Sequence, residues 1–134
     1  MTAVVADTHA IVWFLKNSNQ LSDHAATAMD RAIQAGLPIY IASISLVEMV
    51  YLMERGKIPT DAFEQFMVTL EQPTSAFEVV PLDRTITLSL VSIDRAIVPE
   101  MPDRIIAATA QSLGLPLVTR DCRIQNLSTL VTIW

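Results

Sequence analysis

The chain is short of the residues that staple or hinge small proteins. Its 134 residues include one cysteine, Cys122, and three glycines. A lone cysteine excludes an intrachain disulfide and any cysteine-based metal cluster. No base neighbours Cys122 in sequence, so its thiol is read as inert. There is no Gly-x-Gly-x-x-Gly turn and no Walker-type loop, which removes the common phosphate cradles of nucleotide-binding modules. No run of about 18 apolar residues occurs, so no membrane span is expected. The opening Met1-Thr2-Ala3-Val4-Val5-Ala6-Asp7 has no basic leader, and its apolar run is too short for a secretory signal. These absences fit a cytoplasmic protein. Positive charge is also scarce: nine Lys and Arg stand against 14 Asp and Glu, for a net charge of −5. That balance opposes nucleic-acid binding through a broad basic face. The objection weakens where carboxylates hold divalent cations, each of which restores two positive charges locally.

What is present is an aliphatic chain, 51% apolar and 6% aromatic, of a size common for one domain, so residues 1–134 are read as a single domain. Short β-branched runs alternate with helical patterns. Val4-Val5-Ala6 reads as a strand and Thr8 to Leu15 as a helix with almost no polar face. Ser22 to Ala35 is helical, capped by Ser22 and stopped by Gly36. Ile39 to Ala42 is a second strand. Ser45 to Arg55 and Asp61 to Leu70 are helices, the first ended by Gly56. Phe77 to Val80 is a third strand, followed by helical periodicity from Asp83 to about Ala96. Pro102 opens a helix running to Leu113, with Gly114 as its stop. Leu117 to Thr119 is a fourth strand and Val131 to Ile133 a candidate fifth. Strands separated by helices imply parallel pairing, hence a three-layer α/β/α sandwich around a parallel sheet of four to five strands.

In such a sheet, ligands bind at the carboxyl ends of the strands. Asp7 follows the first strand and Asp121 lies just beyond the fourth. Glu48 sits in the first turn of the helix after the second strand. Asp103 sits in the first turn of the helix before the fourth. All four acids are therefore expected on one rim. Each also has a purely structural reading. Asp7 is a possible N-cap, Ser45-x-x-Glu48 a capping box, Asp103 a dipole partner and Asp121 a turn residue. Two features favour function. Glu48 is the single charge between Ile44 and Met53, a stretch apolar enough to be buried, where an unpaired carboxylate costs on the order of several kcal/mol. Four converging acids would also repel one another, and a hard divalent cation relieves both problems. Mg²⁺ or Mn²⁺ suits all-oxygen ligands; zinc is disfavoured, because His9 and His24 form no ligand set with a cysteine cluster. Such a metal on an open rim suits phosphodiester hydrolysis.

The motifs themselves resemble the PIN-domain family. Asp7-Thr8-His9-Ala10 with Trp13 is similar to the opening of its VapC-like toxin branch. Ser43-Ile44-Ser45-Leu46-Val47-Glu48, Asp103-Arg104-Ile105-Ile106-Ala107-Ala108-Thr109-Ala110 and Leu117-Val118-Thr119-Arg120-Asp121 resemble the later motifs. The ending Thr132-Ile133-Trp134 is also similar to that branch. The resemblance implies an Mg²⁺- or Mn²⁺-dependent endoribonuclease acting on RNA. Asp7, Glu48 and Asp103 would be core metal ligands. Asp121 would be the fourth acid, and Thr119 would hydrogen-bond within the cluster. It further implies a homodimer and a cognate antitoxin whose C-terminal segment fills the site.

Other residues carry two readings each. His9 either contacts substrate or acts as a supporting or capping residue. Arg104, Arg120 and Arg123 flank the rim as candidate phosphate contacts, or are solvated or paired charges. Trp13 and Phe14 are assigned to the core or a partner contact, in preference to base stacking. Tyr51, Leu52, Met53, Phe63, Phe66 and Met67 form either an antitoxin groove or core. Two competing functions remain: a phosphatase or phosphotransferase with Asp7 as nucleophile, and a catalytically silent PIN-like binding module.

Overall fold

The computed structural model describes residues 2–134. Five strands form one sheet: β1 (Val4–Ala6), β2 (Ile39–Ala42), β3 (Phe77–Val80), β4 (Leu117–Val118) and β5 (Thr132–Ile133). Their order is β3-β2-β1-β4-β5 and every pairing is parallel. Val4 pairs with Ile39 on one side of β1, and Val5 with Leu117 on the other. β1 is buried throughout, as the central strand of a covered parallel sheet must be.

Helices cover both faces. On one lie α1 (Thr8–Leu15), α2 (Asp23–Gln34), α3 (Ser43–Glu54) and α4 (Thr60–Leu70). Their apolar residues, Ile11, Met29, Met49 and Phe66 among them, meet Val4, Ala6, Ile39 and Ile41. On the other lie α5 (Arg84–Ser89), α6 (Met101–Leu113) and α7 (Cys122–Gln125). There Ile86, Ile106, Ala107, Ala110 and Ile124 meet Val5, Ala42 and Leu117. The alternation of Ile39 and Ile41 against Ala42 is the two-residue period of a strand. The result is the expected three-layer α/β/α sandwich.

Local chemistry sets the helix ends. Ser22 caps α2 by accepting from the Ala25 N–H at 3.0 Å. Gly36, at φ +70°, ends it, and the Leu37 N–H returns to the Ala32 carbonyl at 2.9 Å. Two expectations need correction. α3 starts at Ser43, not Ser45, and its N-cap Ala42 has no side-chain hydrogen bond, so there is no capping box. The helix expected from Asp83 to Ala96 stops at Ser89 and passes through a 3-10 turn at Leu90–Ser92. Ile93 then turns extended and is fully buried. The Asp94 carboxylate accepts from the Ala96 N–H at 2.8 Å, a local bond that competes with helix continuation.

The topology creates one special place. From β1 the chain moves outward through β2 to β3, then returns to β4 on the opposite side of β1. The crevice between the carboxyl ends of β1 and β4 is therefore the switch point where open α/β sheets bind ligands.

Candidate functional site

Asp7 leaves β1 at this switch point. Its Oδ1 caps α1 by accepting from the Ala10 N–H at 2.9 Å. Its Oδ2 accepts from the Thr119 hydroxyl at the end of β4. Thr119 Oγ1 in turn accepts from the Asp121 N–H at 3.0 Å, so two neighbouring strand ends are tied through one hydroxyl. The capping and site readings of Asp7 thus describe two oxygens of one carboxylate.

Glu48, on the second turn of α3, is held by a neighbour that sequence reasoning had left without a role. The Thr8 hydroxyl donates to Glu48 Oε1 at 2.5 Å and shares a second hydrogen bond with the Ser45 hydroxyl at 3.0 Å. A hydroxyl has one proton; with Thr8's given to the carboxylate, Ser45 is the donor in the second bond. The adjacency of Thr8 to Asp7 is the sequence signal that pointed to it. The burial assumed for α3 is not observed. Val47 is 48% and Tyr51 63% exposed, and Glu48 is half-buried. Glu48 sits at a cavity edge, not in a hydrophobic interior.

Asp103, in the first turn of α6, and Asp121, the N-cap of α7, complete the cluster. Asp121 Oδ1 accepts from the Arg123 and Ile124 N–H groups at 2.8 and 3.1 Å. No hydrogen bond from the described residues outside the acidic cluster reaches the Asp103 carboxylate. Its pKa is pushed up to about 7, first by partial burial and then by the charge of Asp121. A hydrogen bond to Asp121 that only the protonated acid can donate adds to this, as do the charges of Glu48 and Asp7. Burial raises Asp7 as well, against the lowering effect of its bonds to Thr119 and Ala10.

All four acids line one cavity of about 370 Å³, together with Thr8, His9, Trp13, Ile106 and Arg120. Among the described residues, however, no three carboxylate, imidazole or thiol groups form a ready-made metal cage. The inner oxygens of Asp7, Glu48 and Asp121 are spent on threonine hydroxyls and helix N–H groups. The four acids offer the cavity an all-oxygen donor set. That fits Mg²⁺, which keeps several waters and takes few direct carboxylates.

The remaining candidates separate. His9 is exposed on the rim. Arg120 lines the cavity. Arg104 departs from its expected role. Its guanidinium donates to the carbonyls of Ile93 at 3.0 Å and Leu90 at 2.8 Å, anchoring the segment before α6. The six apolar residues of α3 and α4, read as either groove or core, divide. Phe66 is buried in the core, and Leu52, Met53, Phe63 and Met67 pack against it partly buried. Tyr51 and Leu52 also join Ile44, Val47, Met101 and Pro102 in a groove that adjoins Glu48.

A carboxylate cluster at the switch point of an open parallel sheet defines an acidic-site α/β protein. The chain belongs to the PIN domain family, which matches residues 4–130. It is similar to Ribonuclease VapC22 of Mycobacterium tuberculosis, at 27% identity over 126 residues, covering 94% of this chain and 92% of that protein. Among solved structures it is similar to VapBC2 of Rickettsia felis bound to a promoter DNA fragment. That match has a TM-score of 0.73 at 17% identity over 98% of this chain and 97% of the other. It is also similar to DNA-bound VapBC of Salmonella typhimurium, with a TM-score of 0.68 at 22% identity and the same coverage of both chains.

Proposed function

We propose that this protein is a divalent-metal-dependent endoribonuclease that hydrolyses RNA phosphodiester bonds, and that it is the toxin of a toxin–antitoxin pair. The observation that carries this reading is the meeting of Asp7, Glu48, Asp103 and Asp121, from four separate parts of the chain, on one cavity. The name of the relative, a ribonuclease, supports it, as does a further structural neighbour, a toxin–antitoxin complex from Klebsiella pneumoniae (TM-score 0.65 at 22% identity over 97% of both chains).

Asp7, Glu48, Asp103 and Asp121 would hold Mg²⁺ or Mn²⁺, some directly and some through water. When bound, the metal supplies charge stabilisation at the phosphoryl group and a more acidic water. Thr119 and Thr8 fix the carboxylates of Asp7 and Glu48, so those oxygens need no reorganisation. Arg120 and His9, which line the cavity, would meet RNA phosphates at the rim.

The groove of Ile44, Val47, Tyr51, Leu52, Met101 and Pro102 leads to Glu48. It is the proposed seat of an antitoxin segment, while a homodimer and a cytoplasmic setting complete the reading. No described helix is long and apolar enough to cross a membrane. The test is RNA cleavage by purified protein with Mg²⁺, with Mn²⁺ and with chelator, beside Asp7→Asn and Asp103→Asn. Cleavage that needs metal and both acids is expected. Full activity in chelator refutes the mechanism.

A further inference from the structure

The cavity has one wall that the acids do not form. Trp13 lies one helical turn beyond His9 on α1, and its side chain lines the same space as the four carboxylates. Its ring is tilted against those of His9, at 5.4 Å between centroids, and Trp134, at 5.8 Å. The Arg120 guanidinium lies 5.7 Å from the Trp13 ring centroid. Arg120 is exposed, and among the described residues it is the one Lys or Arg that lines this cavity. Trp13 is only half-buried: part of it packs against the core cluster while part faces the cavity.

This wall offers what the carboxylates cannot offer an RNA. Four acids repel phosphates, whereas every base has a π-face, and unpaired bases stack on indole rings and guanidinium planes. Resting on the ribonuclease reading above, we infer that Trp13 is the stacking platform for one unpaired base beside the scissile phosphate. Arg120 covers the indole until RNA arrives, then moves to the adjoining phosphate. The exchange is favourable because an exposed cation–π contact is weaker than a base–aromatic stack. His9 and Trp134 hold the ring's orientation. A duplex keeps its bases stacked on each other, so the platform takes a base that is already unpaired. The core packing assigned to Trp13 stands for the part of its ring against the cluster, and stacking is added on the part that faces the cavity.

Trp13 and Trp134 are the two tryptophans of the chain, so Trp134→Phe turns Trp13 emission into a direct reporter. In Trp134→Phe/Asp103→Asn protein with Mg²⁺, a short single-stranded oligoribonucleotide that the wild type cleaves should quench that emission, and its duplex should not. In cleavage assays Trp13→Leu should raise KM roughly ten- to hundredfold with little change in kcat. An abasic nucleotide flanking the cleaved bond should cost the wild type as much and cost Trp13→Leu little further. Where Trp13→Leu fails to fold, the quenching and the abasic penalty in the wild type still decide. Cleavage indifferent to an abasic nucleotide at either flank, or penalties that simply add, overturns the stacking role and leaves the ribonuclease reading intact. No cleavage of any RNA overturns both.

Discussion

On one side of the acidic cavity, Asp7 and Glu48 each receive a threonine hydroxyl, and Asp7 also caps α1. On the other, Asp103 receives no such support and faces Asp121. The first wall is organised by hydrogen bonds that exist before any ion arrives. In the second, Asp121 is also tied by backbone N–H groups, but Asp103 stands against it in a repulsion that a proton or a cation must relieve. One wall therefore gives the site its shape, and the other gives it its appetite for positive charge.

The largest expected effect tests both walls at once. Asp7→Asn and Asp103→Asn should each lower RNA cleavage by about 10²–10³-fold or more, as loss of several kcal/mol of charge stabilisation requires. Near-normal turnover from either variant would remove that wall from the chemistry. Next comes the hydroxyl that ties β1 to β4. Thr119→Val leaves a buried Asp7 oxygen without its donor and should destabilise the fold by about 1–3 kcal/mol in urea titrations. The same change should reduce cleavage by about 10–100-fold, the usual cost of losing a group that orients a ligand. An undisturbed midpoint would show that the first wall is not hydrogen-bond organised.

Arg104 serves as a control outside both walls. Arg104→Met should cost about 2 kcal/mol, because the Leu90 and Ile93 carbonyls lose a charged donor. Cleavage per folded molecule should be unchanged.

The smallest effect isolates the second wall. Asp103 titrates near 7 in the fold against an ordinary 3.8, so between those values the folded state holds the extra proton. Its contribution to stability is complete below about pH 4 and is lost as pH rises through about 7. In chelator, Asp103→Asn should therefore be more stable than wild type at pH 8, by about 1 kcal/mol after allowance for solvent screening. The gap should close toward pH 5, and Mg²⁺ should close it at pH 8. A gap independent of pH would contradict the proposed repulsion.

The contrast between the walls also explains what could be read from sequence. The parallel sheet and its layers were legible because strand burial and helix periodicity are local patterns. The shared rim of the four acids was expected from topology alone. Of their hydroxyl partners, Thr119 was expected from the family resemblance and Thr8 was not. Ser45 resembled a capping residue, yet its hydroxyl meets Thr8, 37 residues away in the chain. Arg104 was read as a phosphate contact or an ordinary paired charge because it flanks the rim, but the carbonyls it serves belong to a segment that had been read as helix. Glu48 was assigned to a buried helix because apolar content does not reveal which face a neighbour will leave uncovered. In each case a contact distant in sequence decided the outcome.

The central place of β1 has a consequence for biosynthesis. Asp7 leaves the ribosome 112 residues ahead of Thr119, the hydroxyl that its carboxylate binds. A nascent polypeptide that has passed Asp7 but not yet reached Thr119 and Asp121 lacks the lattice that completes the cutting centre. On the nuclease reading, the messenger being translated is shielded from its own product until those residues are added, and fragments terminated before them are born harmless.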